Sequence, residues 1–141
     1  MIVLDTNVVS ELTRTTPERA VVRWLDRVSP LDVWLTSITI AEMSYGIARL
    51  AAGRRRDELV VRVETVLDGL GGQVLSFDQE AAHAFGAVMA GRDRAGQPIS
   101  TADAQIAAIC RVHDATLATR NVRDFIGTGV AVVDPWGTGP S

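Results

Sequence analysis

Short apolar, β-rich runs separated by longer stretches of helical periodicity leave this chain few ways to fold. The runs Ile2–Leu4, Val33–Thr36, Val74–Phe77, Thr116–Thr119 and Val130–Val133 read as strands. Strands alternating with helices are the signature of a parallel sheet whose two faces are covered. The expected class is therefore α/β, a parallel β-sheet of about five strands sandwiched between helices.

The helical stretches carry their own punctuation. Thr16-Pro17-Glu18 combines a capping residue, a proline for the first turn and an early acid. Val21, Val22, Leu25 and Val28 then share one face, which Trp24 extends. A second helix is expected from Ile38 to Leu50, with Ile40, Met43, Ile47 and Leu50 at core spacing and Gly53 as its terminator. Arg54-Arg55-Arg56-Asp57 opens a third, antiparallel to the second, which carries Leu59, Val63, Val66 and Leu67 until Gly69, Gly71 and Gly72 break the pattern. Asp78 is a natural cap for the helix containing Ala82, Phe85 and Met89. Gly91 to Pro98 reads as a mobile loop, and the Gly- and Pro-rich stretch 135–141 as a frayed tail.

Composition narrows the function. A chain of 141 residues with 47% hydrophobic content fits one domain, 1–141. It has neither a signal-peptide pattern nor the run of about 20 apolar residues needed to span a membrane, so no membrane association and a cytoplasmic location are expected. The single cysteine, Cys110, lies in an apolar helical stretch and reads as buried and inert. All fourteen basic residues are arginines. Without lysine, P-loop nucleotide binding and Schiff-base chemistry are excluded.

Asp5 ends the first apolar run, where an ionised carboxylate is costly unless something compensates it. Three more oxygen-bearing residues occupy equivalent strand ends and helix starts: Glu42, Asp103 and Asn121, with Asp124 close behind. In an open parallel sheet ligands bind beyond the carboxyl ends of the strands, so one cleft can collect all of them. Clustered carboxylates take up protons unless a cation is present, and hard oxygen donors suit Mg²⁺ or Mn²⁺. Each acid also has a plainer role. Asp5 can cap the helix that follows it, Asp103 completes a capping box with Ser100, Glu42 can be a solvated helix residue, and Asp124 a turn residue.

Four blocks in register carry a resemblance: Ile2-Val3-Leu4-Asp5-Thr6-Asn7-Val8-Val9-Ser10-Glu11-Leu12, Ala41-Glu42-Met43-Ser44-Tyr45-Gly46-Ile47, Thr101-Ala102-Asp103-Ala104-Gln105-Ile106-Ala107, and Leu117-Ala118-Thr119-Arg120-Asn121 with Asp124-Phe125. Together they strongly resemble the PIN-domain ribonucleases, within them the VapC-type toxins of type II toxin–antitoxin systems, including the FitB-like branch. The resemblance implies a Mg²⁺- or Mn²⁺-dependent endoribonuclease in which Asp5, Glu42 and Asp103 form the metal-binding acidic triad. The fourth position of the family is Asp or Asn and is matched here by Asn121, with Asp124 a further acid nearby. Thr6 and Thr119 would offer hydroxyls to the metal's water ligands or to substrate phosphate.

The resemblance also implies a cognate VapB-like antitoxin, whose other domain binds operator DNA, and a toxin homodimer within a toxin–antitoxin hetero-oligomer. RNA needs positive contacts outside the acidic pocket, for which Arg120 is the foremost candidate and Arg54, Arg55, Arg56, Arg92, Arg94 and Arg123 are others. His83, His113 and the tryptophans are expected to pack or face solvent rather than join the site. Two rival readings remain: a catalytically silent RNA- or protein-binding module, which Asn121 favours, and a haloacid dehalogenase-type phosphatase. The second fails at Asn7, which stands where that family needs an acid, and at the missing lysine.

Overall fold

The computed structural model of the chain describes residues 1–137. Five short strands form one sheet: β1 (Ile2–Leu4), β2 (Val33–Thr36), β3 (Val74–Leu75), β4 (Thr116–Ala118) and β5 (Ala131–Val133). Every pairing is parallel and the spatial order is β3-β2-β1-β4-β5. The α/β class and the five parallel strands are as the sequence predicts. Six α-helices accompany them among the described residues: α1 (Thr6–Leu12), α2 (Arg19–Asp26), α3 (Ser37–Ala48), α4 (Arg54–Gly69), α5 (Gln79–Arg94) and α6 (Thr101–His113). Among the described residues no helix is long and apolar enough to cross a membrane.

Alternation along the strands builds two cores. Val3 points into a cluster with Ala104, Ile106, Ile109 and Leu117, beneath α5 and α6. Leu4, the next residue, joins Val8, Val9, Val21, Val33, Leu35, Met43 and Val63 on the opposite face, under α1 to α4. Successive strand side chains point to opposite faces, so three residues of β1 suffice to anchor both layers. Val3, Leu4 and Leu117 are fully buried, each contributing about 1.5–3 kcal/mol relative to exposure. Cys110 is also fully buried, and burial pushes its thiol up to about 12, which removes it from redox chemistry at neutral pH.

Several boundaries differ from the sequence reading. Helix α2 begins at Arg19, leaving Thr16 and Pro17 outside it. Its first residues are held from another element, because the buried Glu11 carboxylate accepts the Glu18 N–H at 3.1 Å. Helix α3 starts at Ser37 with Thr36 as its cap, the Thr36 hydroxyl accepting the Thr39 N–H at 3.2 Å. Gly53 does not end α3 but caps the start of α4 with φ 150°, a backbone angle that favours glycine. Asp78 caps α5 as expected, accepting the Ala81 N–H at 3.0 Å.

The expected mobile loop from Gly91 to Pro98 is half helix. Residues Gly91 to Arg94 complete α5, because Arg92 is buried and donates from Nη1 to the Ile126 carbonyl at 2.6 Å. That tertiary anchor overrides the local glycine signal. In the expected frayed tail, Pro135 is buried and Trp136 sits in a turn, its N–H donating to Asp134 Oδ1 at 2.9 Å. Residues 138–141 lie outside the described residues.

The connectivity creates one special gap. From β1 the chain works outward through β2 to β3, then crosses back through α5 and α6 to β4 on the other side of β1. The carboxyl ends of β1 and β4 therefore meet where connections diverge, which is where open α/β sheets bind ligands.

Candidate active site

Asp5 leaves β1 at this gap, its N–H still paired to the Ala118 carbonyl at 2.9 Å. Asp5 is only 4% exposed. Oδ1 accepts the Thr6 N–H at 2.8 Å, capping α1, while Oδ2 accepts the Thr119 hydroxyl at 2.8 Å and the Asn7 amide at 3.3 Å. One side chain thus caps a helix and lines the cavity at the sheet's end. Burial is the largest influence on this group and raises it from the ordinary 3.8 to about 6. The Thr119 and Thr6 hydrogen bonds oppose that rise, and the charges of Asp103 and Glu42 add to it.

Glu42 is brought in by α3 and held by a chain of threonines. The Thr6 hydroxyl donates to Glu42 Oε1 at 2.8 Å and lies 2.9 Å from the Thr39 hydroxyl, so Thr39 is the donor to Thr6. Thr36 and Thr39 are fully buried behind it, with their hydroxyls 3.5 Å apart. Asp103 lies in the first turn of α6, its N–H bonded to the Ser100 hydroxyl at 3.1 Å as the capping motif predicts. Half-buried, it is raised above the ordinary carboxylate value first by desolvation, against a hydrogen bond with Ser100, and further by the charges of Asp124 and Glu42.

One cavity of about 510 Å³ is lined by Asp5, Glu42, Asp103 and Asn121, together with Arg120. Asn121 is exposed, and its N–H is fixed on the Thr119 hydroxyl at 3.0 Å. Asp124 lines the adjoining hollow with Arg120, Asn121 and Arg123, yet its charge reaches Asp103. Thr6 lines the acidic cavity, whereas the buried Thr119 braces it from below. His83 and His113 are exposed and line neither hollow.

Two participants escaped the sequence reading. Asn7 bridges the floor, donating to Asp5 Oδ2 and at 3.2 Å to the Thr119 hydroxyl, and accepting the Arg120 N–H at 3.3 Å. Its place two residues beyond Asp5 is the available signal. Trp136 was expected only to pack. It does rest partly on the core, but it also lines the acidic cavity, with the Arg120 guanidinium carbon 5.0 Å from its ring centre. No local pattern links positions 120 and 136; the pairing of β4 with β5 does.

The arginines separate as well. Arg92 is buried and cannot meet RNA, contrary to expectation. Arg54 pairs with Glu58 at 2.8 Å on an exposed helix face, and Arg55 lines a different groove.

The donor set can be weighed against a divalent cation. Its acids are carboxylate oxygens whose mutual repulsion and burial favour proton uptake, and a bound cation relieves both effects. Among the described residues no three acidic, His or Cys side chains close around a common point. That geometry disfavours a closed cage of protein ligands. It fits an ion that keeps several waters and takes one or two carboxylates, the usual habit of Mg²⁺.

Comparison with known proteins agrees with the architecture. The chain is 41% identical over 137 residues to VapC ribonuclease Y4jK of Sinorhizobium fredii, covering 96% of this chain and 98% of that protein. It is 39% identical to toxin FitB of Neisseria gonorrhoeae, with 96% and 99% covered. The solved structure of FitAB bound to an IR36 DNA fragment superposes with a TM-score of 0.89 at 39% identity, covering 99% of both chains. The family profile described as PIN domain matches residues 2–129. An acidic pocket at the switch point of a parallel five-stranded sheet, carried by a sequence with these relatives, makes the chain a PIN-domain protein of the VapC and FitB toxin family.

Proposed function

We propose that this chain is a Mg²⁺- or Mn²⁺-dependent endoribonuclease, the toxin of a VapBC-type module. The observation that carries the reading is the convergence of Asp5, Glu42, Asp103 and Asn121 on one cavity at the sheet's switch point. Asp5, Asp103 and Glu42 are the residues that would hold the cation, and Asn121 the fourth site residue. When bound, such an ion lowers the pKa of a water and offsets charge on the phosphate.

The chain's own groups prepare that chemistry. Thr119 and the Thr6 N–H fix the two oxygens of Asp5, so the carboxylate cannot rotate away from the cavity. The Thr6 hydroxyl does the same for Glu42. Asn121, fixed through its N–H, lies where it meets either the ion or the substrate. Arg120, exposed beside it, supplies positive charge for the RNA backbone at the edge of an otherwise acidic pocket.

A cognate VapB-like antitoxin is the proposed partner, with operator DNA reached only through it, and the toxin a homodimer inside the hetero-oligomer. An apolar groove of about 320 Å³ supports this, running between α1, α3 and α4 over Met43, Ile47, Leu59 and Val63 and rimmed by Arg49, Arg55 and Arg62. It suits an amphipathic segment with acidic flanks.

The test is cleavage of total RNA by antitoxin-free protein in Mg²⁺ or Mn²⁺, with EDTA and Asp5→Asn controls and mapping of new 5′ ends. Discrete cuts leaving 5′-phosphate and 3′-hydroxyl ends, abolished by both controls, are expected. Cyclic 2′,3′-phosphate products would refute hydrolysis by activated water. Folded protein that binds Mn²⁺ through Asp5 but cuts nothing would favour the silent binding module.

A further inference from the structure

We infer that Arg120 and Trp136 form a platform on which one unpaired RNA base stacks beside the acidic pocket, an inference that rests on the ribonuclease reading above. The Arg120 guanidinium carbon stands 5.0 Å from the centre of the Trp136 ring. Among the described residues Arg120 has no carboxylate partner, so the indole is what restrains it. Both ends of the pair are built in. The Arg120 backbone N–H donates to Asn7 Oδ1, and the Trp136 backbone N–H to Asp134 Oδ1 in the turn that follows β5.

Position and chemistry both favour a base. Arg120 directly follows Thr119, whose hydroxyl bonds Asp5, so a base held here places its own phosphate at the acids. Arg120 and Asn121 line both this cavity and the adjoining one of about 460 Å³, so the platform stands on the wall between two hollows a strand could thread. An arginine meant only for phosphate needs no aromatic backing. Planar guanidinium and indole groups together are the usual surface for splayed bases, and a base in a duplex has neither face free for one. Selection for unpaired RNA follows.

The experiment uses the active full-length protein and a short RNA spanning a mapped cleavage site, with one abasic nucleotide moved along it. For the parent protein, one abasic position raises KM between about 5-fold and 150-fold with kcat little changed, from the typical strength of one base–aromatic stack. Trp136→Ala shows the raised KM on intact RNA and loses its sensitivity to that position, Trp136→Phe retains much of both, and Arg120→Gln reproduces the Ala variant without touching the core. A variant that is folded by circular dichroism, binds Mn²⁺ like the parent and keeps the parent's abasic profile overturns the platform alone. So does a variant with that profile that has lost only antitoxin binding, which would make the pair a protein contact. A parent protein that cleaves no RNA overturns the ribonuclease reading and the platform with it.

Discussion

Asp5→Asn should make the metal-free protein more stable while destroying its affinity for divalent cations. Asp5 is 4% exposed, and its carboxyl is raised from 3.8 to about 6, burial being the main cause. The sign follows from proton counting. Below about pH 4 both the folded and unfolded chains hold the proton, and Asp5 costs nothing. As pH rises toward 6 the unfolded chain has released it while the folded chain still holds it, so folding loses free energy throughout that interval. Above about pH 6 the loss is complete, and at about 1.4 kcal/mol per pH unit it amounts to about 3 kcal/mol. Asp103, raised for the same first reason, adds a loss of the same sign. Asparagine removes the charge; with its carbonyl kept toward the Thr119 hydroxyl and the Asn7 amide, its NH₂ faces the Thr6 N–H and forfeits that one hydrogen bond, returning about 1 kcal/mol. The net gain in EDTA at pH 8 is therefore about 2 kcal/mol. Urea denaturation in EDTA from pH 4 to pH 8 checks this, with parent stability falling across the interval and the variant's curve flatter. Saturating Mn²⁺ should restore the parent, by about 2.7 kcal/mol at a hundredfold excess over Kd, and leave the variant unchanged. A parent no less stable at pH 8 than at pH 4.5 relative to Asp5→Asn would refute the claim that burial strains this carboxylate.

Three further outcomes follow from named contacts. Thr119→Val removes the hydroxyl shared by Asp5 and the Asn121 N–H, so Asp5 should titrate higher still and Mn²⁺ affinity at pH 7 should fall several-fold by calorimetry. Asn121→Asp adds a carboxylate to the cavity and should tighten Mn²⁺ binding while lowering stability in EDTA, and equal affinity would remove position 121 from the cation site. Ser100→Ala deletes the cap of α6 and should cost about 0.5–2 kcal/mol in urea titration, with Asp103 shifted upward by the loss of its hydrogen bond.

Sequence alone determined the parallel sheet and singled out the acids that line its cavity. The short apolar, β-rich runs at Ile2–Leu4 and Thr116–Ala118 are a local property, as are the capping signatures at Asp78 and Ser100, and each is obeyed where it stands. Asp5, Asp103 and Asn121 stand out because each follows a strand or opens a helix, and Glu42 because it lies within the helix that follows β2; the topology brings those positions to one cavity at one end of the sheet. What the tertiary structure decided involves partners distant in sequence. Glu11 replaces Thr16 at the start of α2, and Arg92 reaches Ile126 to hold Gly91 to Arg94 helical. The threonine chain that orients Glu42 runs from α3 to Thr6, and Asn7 ties Asp5 to Thr119 and Arg120. Trp136 reaches the pocket only because β5 lies beside β4. Local patterning reports the free energy of a residue's own backbone and burial. The orientation and ionisation of the site depend on hydrogen bonds and charges between elements, which exist only once the sheet has brought those elements together.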